Sequence, residues 1–176
     1  MIRSSFGKTV ARRLLIGAVA LLIPATAGCE AGFNAPTLEF HQAPTGAHAV
    51  VNGITINDAF VLGAPVGSVV PSGSSASVFL SLFNGGSNKD ALVNVAAPKA
   101  ASSVQLSAGT VGLPANSLVS LTGPQPMVVL SGLTKPLISG DDVAVTLTFQ
   151  HAGSVTLDLP IQPQAFDYST FSPPAP

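Results

Sequence analysis

Cysteine occurs only once in this chain of 176 residues, as Cys29. A single thiol excludes an intramolecular disulfide, and a domain of this size can bury enough apolar surface to fold without one. The lone cysteine leaves four roles open: a catalytic nucleophile, a metal ligand, a packing residue or a point of covalent attachment. Its surroundings in the sequence favour the last of these.

Charged residues are also scarce, at 9% of the chain, and they are unevenly distributed. Before Cys29 there are four basic residues and no acidic one; from Cys29 onward there are three lysines and eight acidic residues, a formal net charge of −5. Three scattered lysines on an acidic domain do not match a nucleic-acid partner, and they provide no polybasic patch for anionic lipid. We therefore expect no nucleic-acid partner.

Only one long apolar run is present, LLIGAVALLIPATA at residues 14–27. A membrane-spanning helix needs about 20 apolar residues, so a shorter run behind a basic start is typical of a secretory signal. The small residues that close the run lead directly into Cys29, and this arrangement resembles the lipobox of bacterial lipoproteins. The resemblance implies a signal peptide, with its signal helix, at residues 1–28 and a diacylglycerol on the sulfur of Cys29. A cleaved soluble protein with an incidental thiol is the alternative.

Lipidation of Cys29 would also determine where the protein is held. Two or more acyl chains anchor a protein stably, so we expect it on the outer face of the cell membrane, in the cell envelope. Residues 29–48 mix Pro, Gly, Ala and polar residues without periodicity and are interpreted as a flexible tether. The Pro-rich stretch 163–176 is interpreted as a tail.

Between tether and tail, residues 49–162 show the alternation of β-strands. The runs VAVTLTFQ and SVTLDLPI alternate apolar and polar residues around HAG, which predicts a hairpin with Gly153 in its loop. Pro160 lacks an N–H and predicts a sheet edge at the end of the second run. About eight or nine such short strands, and no amphipathic helix pattern longer than two turns, predict an all-β sandwich.

The run LSGLTKPLISGDDVAVTLTFQHAGSVTLDLPI resembles the periplasmic copper chaperones of the PCu(A)C family, and LPAN and SLFNGGSNKDALVNVAAPKAASSVQL extend the similarity to about residues 49–162. The resemblance implies an immunoglobulin-like, cupredoxin-like β-sandwich. That family binds Cu(I) through two histidines and two methionines, donors suited to a soft ion. Here Ser107 and Met127 occupy the positions of the two histidines, and Val129 that of a methionine. The resemblance therefore implies a sandwich without the family's copper ligands.

A second resemblance covers the order of segments. A lipobox cysteine followed by GCEAG, a Pro-rich tether, VNGITIND and then the sandwich resembles actinobacterial envelope lipoproteins of the LpqE type. No activity follows from that fold by itself.

Other candidates for chemistry are few. The weak candidates for a metal site are Met127 and the three histidines, His41 and His48 in or beside the tether and His151 in the predicted HAG turn, although exposed loop histidines are the simpler interpretation. Asp141 and Asp142 could pair as carboxylates or act as turn formers. No Gly-x-Ser-x-Gly element is present. The aromatic residues of both flanking segments could dock on a partner or fold back on the domain.

These observations predict a non-enzymatic, lipid-anchored envelope lipoprotein that acts as a binding or assembly module for an unknown envelope protein, without a cofactor. The alternative is a copper-handling lipoprotein with a non-standard His/Met site. An enzyme, most plausibly a hydrolase, is the third class, but no nucleophile, base and orienting group are assembled in the sequence.

Overall fold

The computed structural model describes residues 46–122 and 126–174. The predicted signal peptide, Cys29, His41 and nearly all of the predicted tether lie outside these residues. Among the described residues, no helix has the length and apolar content needed to cross a membrane.

The described chain is all-β, as predicted, with ten strands and a single 3₁₀ turn at Phe166–Tyr168. The sequence predicted about eight or nine strands; β6 was missed because three residues are too few to show alternation. The strands are β1 (Ala47–Val51), β2 (Ile54–Leu62), β3 (Ala76–Asn84), β4 (Asp90–Ala96), β5 (Ala101–Leu106), β6 (Val111–Leu113), β7 (Ser117–Ser120), β8 (Val128–Leu133), β9 (Asp142–Phe149) and β10 (Gly153–Gln162).

The ten strands form one curled sheet in the order β5-β8-β3-β2-β10-β9-β4-β6, with β1 paired to β2 and β7 paired to β3. The β2–β10 pairing is parallel and short, and the other strand pairs are antiparallel. Apolar side chains from both halves of the sheet meet in the main core. The two halves of the curled sheet face each other and bury alternate side chains between them, as in a cupredoxin-like sandwich.

The β9–β10 hairpin has the predicted register. Val143, Val145, Leu147 and Phe149 are all buried on one face of β9, and Gly153 has a φ of 92° at the turn. The prediction from Pro160 was wrong, because β10 has neighbours on both sides. The proline is tolerated since the parallel pairing with β2 begins only after it, at Ile161.

The first strand begins slightly earlier than predicted. β1 starts at Ala47, so His48, which the sequence placed in or beside the tether, lies within a strand. β1 turns into β2 at Asn52 and Gly53, where the sequence predicted a bend, and both residues have positive φ. An Asn-Gly pair suits such a two-residue turn because both residues tolerate that backbone region.

The C-terminal segment folds back on the outer face of the sheet. Tyr168 and Phe171 pack on Phe60 and Phe79, with ring centroids 4.7 Å apart for both the Phe60–Tyr168 and the Phe79–Phe171 pairs. The Ser77 hydroxyl donates to the backbone carbonyl of Ser172 at 3.3 Å. We call this group of four rings the aromatic clamp; it buries Phe79 completely.

The sandwich has two opposite ends. The turn at Asn52–Gly53, the loop 85–89 and the turn 150–152 form one end, which we call the amide pole. The loops 63–75 and 134–141, with the start of the C-terminal segment, form the other, which we call the apolar pole. β2 runs from the amide pole, where Ile54 faces Asn84, to the apolar pole, where Leu62 faces Gln162.

Candidate functional site

The positions that correspond to copper ligands in the PCu(A)C resemblance do come together in the fold. β5 pairs with β8, which sets Leu106 opposite Val128, and the Ser107 backbone N–H donates to the Met127 carbonyl at 2.8 Å. Val129 lies one residue further along the same ladder, opposite Gln105. These positions are therefore neighbours in the sheet, and a hydroxyl and an aliphatic side chain occupy two of them.

The single soft donor at this place is largely engaged in packing. The side chain of Met127 is half-buried and packs against the main core. One thioether and one hydroxyl make a poor Cu(I) site, since that ion selects thiolate, thioether and imidazole ligands.

The two histidine candidates within the described residues, His48 and His151, have partners other than Met127. The Nδ1 atom of His48 lies 2.9 Å from the Oδ1 atom of Asn57, across the β1–β2 pair. His151 lies at the amide pole, where its Nδ1 atom is 3.4 Å from the Asp90 carboxylate. Each candidate thus has its own partners. Within residues 46–122 and 126–174, no group of three or more His, Cys, Asp or Glu side chains could hold a metal ion.

The amide pole contains a cleft of about 580 Å³. The Asn52–Gly53 turn, the loop 85–89 and the turn 150–152 form this cleft. Most of its lining residues carry amide, hydroxyl or charged side chains. The lining residues are Asn52, Ile54, Asn84, Gly86, Ser87, Asn88, Lys89, Asp90, His151 and Ala152.

Asp90 organises one wall of this cleft. Its side chain is only 8% exposed, and its carboxylate accepts the backbone N–H groups of Ala91 at 2.7 Å, His151 at 3.0 Å and Ala152 at 2.8 Å. Burial alone would raise the pKa of Asp90, but the three N–H donors, with His151, outweigh it and hold the pKa below its usual value. A carboxylate that accepts several backbone N–H groups stays ionised because each bond favours the charged form.

Two asparagines fix the other walls. The Asn84 side chain is buried; it donates to the carbonyls of Asn88 at 2.8 Å and Leu113 at 3.0 Å and accepts the Gly86 N–H at 2.9 Å. Asn52 donates to the Ala152 carbonyl at 2.8 Å, which ties the β1–β2 turn to the β9–β10 turn. Since buried Asn84 and exposed Asn52 both bond to the backbone of neighbouring turns, the cleft has a pre-organised frame.

The groups left facing solvent are Ser87, Asn88, Lys89 and His151. They can donate and accept hydrogen bonds to a polar ligand. The carboxylate of Asp90 instead accepts backbone N–H groups and frames the cleft.

Sequence reasoning singled out His151 but missed Asp90 and Asn84. They are the first and last residues of the Gly-rich segment NGGSNKD, residues 84–90. A signal was available for Asn84 alone: an asparagine at the start of a Gly-rich loop often bonds to the loop's own backbone, as Asn84 does with Gly86 and Asn88.

Solved structures with a similar fold are PCuAC domains. The copper-bound PCuAC domain from PmoF2 is 24% identical with a TM-score of 0.56, and it covers 66% of this chain and 98% of its own. The apo PCuAC domain from PmoF1 is 24% identical with a TM-score of 0.57, and it covers 66% of this chain and 99% of its own. At this identity the similarity establishes the fold of the domain.

The family itself follows from the sequence match. Residues 54–161 match the model of the LpqE-like lipoprotein family, which is more than half of the chain. The chain therefore belongs to the LpqE-like family, and its domain has the PCuAC fold, as both resemblances predicted. No curated protein matches the chain significantly.

Proposed function

We propose that this protein is a lipid-anchored envelope protein whose degenerate copper-chaperone-like sandwich acts as a non-enzymatic binding or assembly module. One observation carries the proposal: Ser107 and Met127 are hydrogen-bonded neighbours at the place of the copper ligands, with Val129 beside them, and they do not supply the ligand set. The framed polar cleft at the amide pole is the loop surface through which the module binds its partner.

The anchor is tested through Cys29. We expect the Cys29→Ala variant to leave the membrane fraction, because the thiol that receives the acyl chains is gone. A variant that stays in the membrane fraction would disprove the anchor. Met127→Leu is the matched control, since it keeps Cys29 and should fractionate like the wild type.

A copper-handling role is the second candidate, and it draws support from the copper-bound PCuAC domain as a fold neighbour. A Cu(I) competition titration separates the two functions. We expect the protein not to compete with a chelator of micromolar affinity. Competition that is lost in Met127→Leu or in His151→Ala would instead favour copper handling, and the variant that loses it would identify the ligand.

A further inference from the structure

The apolar pole carries large apolar side chains in solvent. Val66, Val69, Ile138 and Phe166 are 70%, 49%, 51% and 87% exposed. Monomeric proteins seldom expose several large apolar side chains on adjoining loops unless the surface contacts a partner or a membrane.

The loops that carry these side chains are held together by backbone hydrogen bonds. Val70 and Leu137 form an antiparallel bridge with two N–H to carbonyl bonds, of 3.1 and 2.9 Å. Val69 and Ile138 are the chain neighbours of the two bridge residues. The bridge therefore holds together the two loops that carry Val66, Val69 and Ile138.

Phe166 is held outward by a fixed turn. It has a φ of 52°, in the left-handed region that an aromatic residue seldom adopts. The Ser169 hydroxyl bonds to the Phe166 carbonyl at 2.7 Å, while Tyr168 and Phe171, just beyond it, are held in the aromatic clamp. The Gln164 N–H bonds to the Ala64 carbonyl at 3.2 Å, which sets this turn beside the loop of Val66.

The chain also enters the domain from this side. β1 is antiparallel to β2, with Ala47 opposite Ala59 and Val51 opposite Ile54. The described chain therefore begins, at Gly46, beyond the Ala47–Ala59 pair and on the side of β2 that leads toward the apolar pole. Gly46 fixes this entry, because a Cβ there would lie 2.4 Å from the Asp58 carbonyl carbon.

The charged residues around the apolar pole give it no electrostatic attraction to anionic lipid. Lys99, Lys135, Asp141, Asp142 and Asp167 are exposed around the apolar pole, a formal net charge of −1. A contact with lipid at this pole would have to come from apolar insertion, because these groups offer no attraction to anionic headgroups.

We propose that the apolar pole is a membrane-contact surface, which inserts Val66, Ile138 and Phe166 into the lipid interface and points the amide pole away from the bilayer. The inference rests on the proposed anchor at Cys29. Cys29 and Gly46 are 17 positions apart, so the lipidated residue can be no further than about 60 Å from Gly46. An anchored domain meets the bilayer at high effective concentration, where a few apolar side chains suffice for contact.

The test uses the absence of tryptophan from this chain. Val66→Trp and Phe166→Trp each introduce a single tryptophan at the apolar pole, and Val50→Trp and Leu118→Trp introduce one near the amide pole at positions that are each 62% exposed. The full-length lipidated variants are reconstituted into vesicles that contain brominated phospholipid. We expect fluorescence quenching several-fold stronger at the apolar pole than at the two control positions, and unchanged by salt.

Flotation of the protein with the vesicles measures attachment through Cys29 independently of the quenching. If the protein does not float, the same variants are coupled through the thiol of Cys29, the only one in the chain, to a maleimide-headgroup phospholipid, and the quenching is measured again. Equal quenching at both poles in a protein that floats would overturn the membrane-contact surface while leaving the anchor intact. Protection of the apolar-pole tryptophans by an added envelope protein instead of by lipid would also overturn it.

Discussion

The two ends of β2 differ in what stabilises them. At the amide pole, the side chains of Asn52, Asn84 and Asp90 bond to the backbone of neighbouring turns. At the apolar pole, backbone bonds and the aromatic clamp hold the loops, and several apolar side chains project into solvent. Asn52, Asn84 and Asp90 therefore stabilise the amide pole through their own hydrogen bonds, whereas the exposed apolar side chains of the other pole do not contribute to its stability.

The largest expected effect comes from removing the aromatic support of the apolar pole. Phe79→Ala deletes a completely buried ring of the clamp, and such a truncation costs about 3–5 kcal/mol of unfolding free energy. Urea denaturation measures the loss. Phe83→Ala is the control: Phe83 lies on the same face of β3 but is 38% exposed, so its removal should cost clearly less. Equal losses would mean that the C-terminal segment does not support the pole.

At the amide pole, Asp90→Ala leaves three backbone N–H groups without their acceptor. We expect a loss of about 2 kcal/mol, because hydrogen bonds to a charged group contribute about 1.5–3 kcal/mol. Asp158→Ala removes an exposed carboxylate of β10 and should change stability little. If the two variants unfolded at the same denaturant concentration, the view that Asp90 organises this pole would be wrong.

The same carboxylate predicts a pH dependence. The pKa of Asp90 is lower in the folded than in the unfolded chain, because the backbone donors outweigh the effect of burial. Its contribution to stability is therefore complete above the unfolded pKa and is lost as the pH falls through the folded pKa. Thermal melts of wild type and Asp90→Asn across the acidic range measure this. The difference in melting temperature should shrink as the pH falls; a constant difference would contradict the assignment.

A smaller effect is expected from the tie between the two turns. Asn52→Gly keeps a residue that accepts the positive φ but removes the bond to the Ala152 carbonyl. We expect a loss of about 1 kcal/mol, the usual contribution of one neutral hydrogen bond. Asn52→Ala should lose more, since alanine also disfavours that φ. Hydrogen exchange of the Ala152 region reports the same change locally.

The smallest effect on the free energy of unfolding is expected at the proposed membrane-contact surface. The double variant Val66→Ser and Ile138→Ser alters exposed side chains, so its unfolding free energy should stay within about 0.5 kcal/mol of wild type. A loss comparable with that of Phe79→Ala would show that these residues belong to the core rather than to a contact surface.

Much of the fold was predictable because alternation specifies burial directly. Val143, Val145 and Leu147 are buried as their spacing predicted. The three-residue strand β6 was not predictable, since it exists through pairing with β4. The edge predicted from Pro160 was wrong. A missing N–H shows that one ladder hydrogen bond is absent, but it does not show which strands lie beside the proline.

The candidate site was predictable only in part. The resemblance placed Ser107 and Met127 at corresponding ligand positions, and the β5–β8 register makes them neighbours. Asp90 was not identified, because its importance lies in contacts with residues 61 and 62 positions later in the chain. Such contacts leave no periodic signal in the sequence.

The sequence by itself determined the all-β class, the hairpin at Gly153 and the presence of Ser107, Met127 and Val129 at the positions that the resemblance assigns to copper ligands, because these depend on local alternation and on which side chains are present. The tertiary structure alone decided that Asp90 frames a cleft, that Tyr168 and Phe171 clamp the sheet, and that the exposed Val66, Ile138 and Phe166 lie at the pole where the chain enters. The physical reason is that charge and hydrophobicity act through distances in space, which are set only once distant strands have paired.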